Sequence, residues 1–233
     1  MKAIDVHRRP DLLVWRVFMD IPMRGWSVFP ESGWPSYDIQ SMKSSAENTS
    51  GRDELFTKIV GDVRVQGFTH NKALRRGIIG DIRFDESLIY AEDEVFFLNI
   101  LECHEHLRVC YLDYYLYCYV QHKATGLLRD PANQYDNNGV TRFMSAQKKI
   151  LAMKNIPPSA SNTVKGRIYA LSLQNLFNLP ETLTPAAYNT LRANMHKYAR
   201  YYYLNLSYTM REKVRAFIKH ILVLLHIHKP RRK

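Results

Sequence analysis

The stretch Glu92-Asp-Glu-Val-Phe-Phe-Leu-Asn-Ile-Leu-Glu-Cys103 joins three acids to an apolar run, and residues 107–120 after it alternate between tyrosine and aliphatic side chains. Acids favour the first turn of a helix, where the helix dipole stabilises negative charge. The run Val95–Leu101 is apolar nearly all round, which predicts a buried helix. Alternation with a period of two predicts that 107–120 is a strand or hairpin. The two stretches together indicate a domain that combines helices with a sheet.

The segments on either side of this stretch differ in character. Residues 1–50 contain all three tryptophans and four prolines, which predicts a segment of irregular character with a short helix or strand at 11–19 and a loop at 24–37. A helix is expected through Val60 with Leu55, Phe56, Ile59 and Val60 inward. The predicted class is α/β and α-rich, with a small sheet followed by a C-terminal helical region. The predicted boundaries are 1–50, 51–130, 131–208 and 209–233, with helices at 141–154, 163–178, 185–206 and 210–228.

Positive charge is concentrated at the C-terminus. Of the net charge of +11, residues 196–233 carry +9, with ten Lys/Arg against one acid, Glu212. A basic C-terminal segment on a nearly neutral protein indicates an anionic partner that contacts only that segment. Residues 210–228 also predict an amphipathic helix that lies on an anionic membrane surface through 210–233. A helix packed on its own domain with a solvated charged face fits the pattern equally well. The apolar stripe consists of Val214, Phe217, Ile218, Ile221, Leu222 and Leu225.

The sequence also indicates where in the cell the protein is located. Met1–Trp15 contains charges and a proline where a signal peptide needs an apolar run. The longest aliphatic run in the basic end, Ile221–Leu225, is too short to span a bilayer. We therefore expect a cytoplasmic protein with peripheral attachment to the inner face of the membrane.

Four short motifs follow one another in the middle of the chain. None is specific alone, since an acidic pair before an apolar run is a common helix start. In this order they resemble the acceptor-side half of bacterial family-2 glycosyltransferases of the GT-A fold, which build polysaccharides and surface glycans. The motifs are Gly67-Phe-Thr-His-Asn-Lys-Ala-Leu-Arg-Arg76, Ile82-Arg-Phe-Asp-Glu86, Ala91-Glu-Asp-Glu-Val-Phe-Phe97 and Tyr111-Leu-Asp-Tyr-Tyr-Leu-Tyr-Cys-Tyr119, followed by His122-Lys-Ala-Thr125.

The resemblance implies an inverting sugar transfer to a glycan or lipid-linked acceptor, with Asp93 as the general base. An ionised carboxylate can take the proton of the acceptor hydroxyl, and a helix N-terminus is expected to favour that ionised form. Glu92 would orient the loop or touch the acceptor. Simple helix capping explains Glu92 and Asp93 without catalysis, and the tyrosines also suit a core or an interface. The implied acceptor-binding residues are Asn71, Lys72, Arg83, Asp85, Tyr117 and Tyr119.

The donor-binding half of such an enzyme is not visible in the sequence. Family members hold Mg²⁺ or Mn²⁺ on the diphosphate of a nucleotide-sugar donor through an Asp-x-Asp motif, and this chain contains neither Asp-x-Asp nor Asp-Asp. No cofactor is expected on this chain alone, and His122 is only a weak metal candidate. The chain is expected to be a C-terminal fragment; the alternatives are a partner chain that binds the donor, or a non-catalytic module.

An accessory protein without chemistry remains the alternative function. It would use the basic C-terminal tail to bind a membrane or nucleic acid. Because the sequence contains no recognised nucleic-acid motif, nucleic acid is not the expected partner.

Overall fold

The structure is a computed structural model that describes residues 10–21, 25–29, 49–61, 69–120, 134–178 and 180–227. Expectations for His122, Thr125 and the end of the basic tail, 228–233, lie outside the described residues. The chain divides into two compact units. Unit 1 comprises Met1–Glu86 with Glu92–Gly126, and unit 2 comprises Ser87–Ala91 with Leu127–Lys233.

Unit 1 contains a mixed five-stranded sheet with β1 at its centre. The β1 sequence is a nearly continuous apolar run, typical of a central strand, and Leu12 and Val14 are buried. β1 pairs in parallel with β5 on one side and antiparallel with β2 and β4 on the other, and β3 pairs antiparallel with the start of β5. The strands are β1 Leu12–Ile21, β2 Gly25–Phe29, β3 Thr49–Gly51, β4 Lys72–Leu74 and β5 His106–Val120.

Three helices accompany this sheet within the described part of unit 1: α1 Arg52–Gly61, α2 Arg76–Ile79 and α3 Glu92–Cys103. Leu55, Phe56, Ile59 and Val60 are buried, which confirms the inward face predicted for α1. α1 packs against α3, whose apolar centre is buried as its sequence predicts.

Asp11 ties the strands of the sheet together where β1 begins. Its carboxylate is buried and lies 2.6 Å from the Arg75 guanidinium. The backbone N–H of Arg108 donates to the same carboxylate at 2.9 Å, and the backbone N–H of Arg75 donates to the Asp11 carbonyl at 2.9 Å. The bond from the Arg108 N–H is charge-assisted, and bonds of that kind are strong. These contacts fix β5 and the end of β4 relative to β1, and so position the residues that follow.

Two predictions for unit 1 need correction. Residues 12–21 and 25–29 are strands. The first is the strand alternative of the short element expected at 11–19, longer than expected for an irregular segment, and the loop predicted at 24–37 was wrong at 25–29. No proline occurs within the sequences of the two strands, which agrees with the rarity of proline inside strands. In addition, β5 shifts its register against β1 after Trp15 and again after Arg16. The uninterrupted alternation assumed for this strand is therefore broken.

Unit 2 is helical, as the sequence predicts for residues beyond 140. Its helices in the described ranges are α4 Phe143–Leu151, α5 Pro158–Asn178, α6 Pro185–Tyr203 and α7 Met210–Leu224. α5 packs against α6 and α7. Close approach to α6 occurs at Gly166, where a Cβ atom would lie 3.2 Å from the Tyr201 carbonyl oxygen.

The coarse fold class is confirmed: the protein is α/β and rich in helix, with a small mixed sheet. Residues 87–91 and α7 belong to unit 2, and the division along the chain falls between 126 and 127. The domain boundaries given from the sequence stay a prediction. None of the helices in the described ranges has the length and apolarity needed to traverse a bilayer.

Candidate active site

The first turn of α3 presents Asp93. The residue before the helix, Ala91, has a φ of 55°, a left-handed conformation that is uncommon for residues other than glycine and turns the chain sharply into α3. The backbone N–H of Glu94 donates to Asp93 Oδ1 at 2.9 Å. The other carboxylate oxygen, Oδ2, has no hydrogen-bond partner among the described residues. Asp93 therefore caps its own helix with one oxygen and retains a second oxygen that can accept a bond from a ligand.

Asn71 and Lys72 form a buried polar pair in the same unit, where a short 3₁₀ turn, Thr69–Asn71, runs into β4. They are 2% and 7% exposed, respectively. Lys72 Nζ donates to Asn71 Oδ1 at 2.6 Å and lies 5.2 Å from the centroid of the Phe97 ring. A buried ammonium needs such partners, because loss of water is costly to a charge.

Lys72 and Asp93 influence each other's charge. Burial lowers the pKa of Lys72 to about 7, although the negative charges of Asp93 and Glu94 oppose this change. Burial also raises the pKa of Asp93 to about 6. The Glu94 N–H bond lowers the pKa of Asp93, whereas the charges of Glu92 and Glu94 raise it and that of Lys72 lowers it. These interactions place Asn71, Lys72, Asp93 and Glu94 in one group, called the Asp93 site below.

The pKa of Asp93 is shifted in the opposite direction from the one expected from the sequence. Its position in the first helical turn predicts that the charged form is favoured, and the bond from Glu94 acts in that direction. Loss of solvent outweighs this effect, so the pKa rises rather than falls. A carboxylate with a pKa near 6 is still mostly ionised at pH 7 and binds a proton more readily than an ordinary aspartate does.

An aromatic pair borders the Asp93 site. The rings of His70 and Tyr117 are stacked, with centroids 5.3 Å apart and planes at 28°. Burial, together with the nearby charge of Lys72, lowers the pKa of His70 to about 4, so the imidazole is neutral at pH 7. Tyr117 is 42% exposed. It therefore offers an accessible aromatic surface beside His70.

The remaining predicted acceptor-binding residues are Arg83, Asp85 and Tyr119. Arg83 is exposed and donates to the carbonyl oxygens of Gly80 and Ile82 in its own turn, so the structure does not join it to the Asp93 site. Asp85 is half-buried in the same segment. The side chain of Tyr119 lies outside the described part of the chain.

Two residues of the site were not predicted as functional. His70 directly precedes Asn71, and Glu94 directly follows Asp93, so both lie inside the motifs that single out their neighbours. Glu94 is buried, although its position in the sequence is that of an ordinary first-turn acid. No sequence signal distinguishes a buried first-turn acid from an exposed one, because the difference depends on tertiary packing.

The described residues around the site contain no set of metal ligands. Within the described ranges, no group of three or more His, Cys, Asp or Glu side chains could hold a metal ion. The Mg²⁺ or Mn²⁺ ion that the resemblance implies for the complete parent enzyme stays an expectation.

Comparison of the chain with protein-family models, with curated proteins and with solved structures finds no match. The function must therefore be inferred from the motifs and from the geometry of the Asp93 site.

Proposed function

We propose that unit 1 carries the acceptor site of a family-2-type glycosyl transfer and that Asp93 is its general base. The observation that carries the proposal is the carboxylate of Asp93 itself. It has one oxygen held by the helix backbone, one oxygen without a partner among the described residues, and a pKa of about 6. The order of the four motifs around it supports the same reading.

The proposed step transfers one proton and one sugar. Asp93 accepts the proton of an acceptor hydroxyl while that oxygen forms a bond to the anomeric carbon of a nucleotide sugar. The bond between the anomeric carbon and the diphosphate breaks, and the nucleotide diphosphate leaves with the electron pair. A base works best when its pKa lies near the working pH, and a pKa of about 6 meets this requirement better than the ordinary value of 3.8.

Lys72 and Asn71 have a positioning role in this proposal. The Lys72 ammonium is held by Asn71 Oδ1 and keeps part of Asp93 in the ionised form by its charge. Because the pKa of Lys72 is about 7, its charge is lost just above neutral pH. Transfer should then follow a bell-shaped pH profile, rising as Asp93 ionises and falling as Lys72 becomes neutral.

Tyr117 supplies the surface on which an acceptor sugar would rest. Its ring is held from one side by His70 and is accessible to solvent. A ring of this kind has an apolar face for the C–H bonds of a sugar and a hydroxyl for a hydrogen bond. The acceptor is a glycan or a lipid-linked saccharide, and the donor is a nucleotide sugar.

Transfer and binding can be tested separately. Transfer is measured as the mass gained by oligosaccharide acceptors in the presence of a panel of nucleotide sugars, and acceptor binding is measured by saturation-transfer NMR without a donor. Asp93→Asn should lower transfer by about 10²–10⁴-fold, the usual contribution of a general base, while the amide still hydrogen-bonds the acceptor. Asp53→Asn is the matched control, because Asp53 is an exposed carboxylate in the first turn of α1.

The outcomes separate the alternatives. The proposal is supported if Asp93→Asn loses transfer but retains acceptor binding, while Asp53→Asn retains both transfer and binding. Saccharide binding without transfer in the wild type would leave a binding module or the acceptor half of an enzyme whose donor-binding half is on another chain, and it would contradict catalysis by this chain alone. No saccharide binding by the wild type, or equal transfer by Asp93→Asn, would contradict the assignment.

A further inference from the structure

We propose that α7 docks the protein onto an anionic lipid bilayer surface, with its outward apolar face in the interface and its flanking cations at the lipid phosphates. The proposal concerns unit 2 alone. It does not depend on the chemistry assigned to Asp93, and it is tested without any sugar donor or acceptor.

The inner face of α7 is fixed by contacts with α5. Ala216 and Val223 are buried, and α7 packs against α5. His220 Nδ1 lies 3.0 Å from the hydroxyl of Tyr169, a fully buried side chain of α5. The Tyr203 hydroxyl lies 2.7 Å from the same oxygen. These contacts set the rotation of α7 about its axis and determine which side chains face outward.

The outward face of α7 is apolar. At about 100° per residue, Val214, Phe217 and Ile221 lie roughly opposite the side that carries Ala216 and Val223. An amphipathic helix that serves only its own domain buries its apolar stripe, whereas α7 presents this stripe to solvent. Contiguous exposed apolar residues mark interaction surfaces. The exposed apolar side chains of the helix and its C-terminal end are Met210, Val214, Phe217, Ile218, Ile221, Leu224 and Leu225.

Cations border this apolar face. At the same angular step, Arg211 and Lys213 fall on opposite edges of the face, and both belong to a helix with a single acid, Glu212. Glu212 is engaged in the capping box with Thr209. The sequence of 228–233 adds four more Lys/Arg. An apolar face between rows of cations matches an anionic bilayer, in which the apolar acyl chains lie deeper than the negatively charged phosphates.

A second copy of the chain, or a nucleic acid, would complement only part of this surface. A second copy of the chain, meeting face to face, would bring the same cations together. Nucleic acid would neutralise Arg211 and Lys213 but leave Phe217 and Ile221 in water. A bilayer surface covers the apolar side chains and neutralises the cations at the same time.

Vesicle binding tests the proposal. Full-length protein is sedimented with large unilamellar vesicles of phosphatidylcholine alone, or with 30% phosphatidylglycerol, at low and high salt. We expect at least ten-fold tighter partitioning onto the anionic vesicles and weakening by salt, because each Lys/Arg near an anionic surface contributes about a five-fold gain. The double variant F217E/I221E should lose at least ten-fold on the anionic vesicles. The single variant L116E is the control, since Leu116 is similarly exposed but lies in unit 1.

A charge test complements the apolar one. R211E/K213E should weaken binding to anionic vesicles by more than ten-fold, whereas K148E/R192E makes the same change in charge at exposed positions of α4 and α6 and should cost much less. Circular dichroism checks that each variant folds. If F217E/I221E does not fold, F217S/I221S takes its place, with the same expected direction.

Three results would overturn the proposal. The first is anionic-vesicle binding that is absent, or that is equal in F217E/I221E and the wild type. The second is a wild-type dimer in sedimentation velocity that F217E/I221E converts to monomer without any vesicle binding, which would identify the face as an interface between copies. The third is salt-sensitive binding to single-stranded RNA that is tighter than binding to anionic vesicles.

Discussion

At the scale of single residues, the Asp93 site is a balance between burial and charge. Burial raises the pKa of Asp93 and lowers that of Lys72, and the attraction between the two groups opposes both changes. The site therefore holds two ionisable groups whose pKa values, about 6 and about 7, have moved towards each other. Such values cluster at functional sites, and they have a consequence for stability.

Asp93→Asn should stabilise the protein at pH 8. Because the pKa of Asp93 is raised from 3.8 to about 6 in the folded state, protonation of this group stabilises the fold fully below pH 3.8, and that stability is lost as pH rises through 6. A neutral amide avoids the loss. We expect a gain of roughly 1–2 kcal/mol at pH 8, reduced from the full linkage value because the side chain is only half-buried, and no gain at pH 3.5.

Thermal unfolding of Asp93→Asn at the two pH values measures this difference. Asp53→Asn serves as the control, because it removes an exposed first-turn carboxylate and should be neutral or slightly destabilising at pH 8. A lower melting temperature for Asp93→Asn at pH 8 would contradict the assigned burial.

Gly139 is required by its backbone conformation. Its φ is +74°, and a Cβ atom would lie 2.3 Å from the Thr182 carbonyl oxygen. Gly139→Ala should therefore cost about 2–4 kcal/mol, from the left-handed backbone and the overlap together. Gly77→Ala is the matched control, since no atom lies within 4 Å of the added methyl group and alanine favours the helix by up to ~1 kcal/mol. Equal denaturation midpoints for the two variants would refute this expectation.

At the scale of secondary-structure elements, periodicity located helices better than it located strands. The inward face of α1 and the presence of α4–α7 follow from apolar spacing. The sequence left β1 undecided between a helix and a strand, and β2 was missed because tryptophan and proline dominate that segment, although no proline occurs in the sequence of either strand. The register shifts of β5 could not be predicted, because they depend on the pairing with β1.

The N-terminus of α7 should depend on its capping box. Thr209 Oγ1 accepts from the backbone N–H of Glu212 at 3.3 Å, and Glu212 Oε2 accepts from the Thr209 backbone N–H at 2.7 Å. Thr209→Ala should cost about 1 kcal/mol and accelerate hydrogen exchange in the first turn of α7. Thr190→Ala, at an exposed position within α6, should be neutral or slightly stabilising. Unchanged exchange in Thr209→Ala would show that tertiary packing alone holds the helix end.

At the scale of the whole molecule, the sequence predicted the coarse fold class, named candidate residues whose roles stay predictions, and did not predict the electrostatics of those residues. Asn71, Lys72 and Asp93 were singled out by motif order, and the structure places them in one group. The inward turn of Glu94 and the reversed pKa of Asp93 depend on burial, which a motif does not encode. The outward apolar face of α7 likewise depends on how α5 holds the opposite side of that helix.

Titration of the Asp93 carboxyl carbon by NMR tests the central claim most directly. The protein carries ¹³C-labelled aspartate, and Asp93→Asn assigns the signal. We predict a midpoint near pH 6 that changes when a saccharide acceptor is added, together with a higher midpoint in Lys72→Met. A midpoint near 3.8 that does not respond to any saccharide would contradict the account.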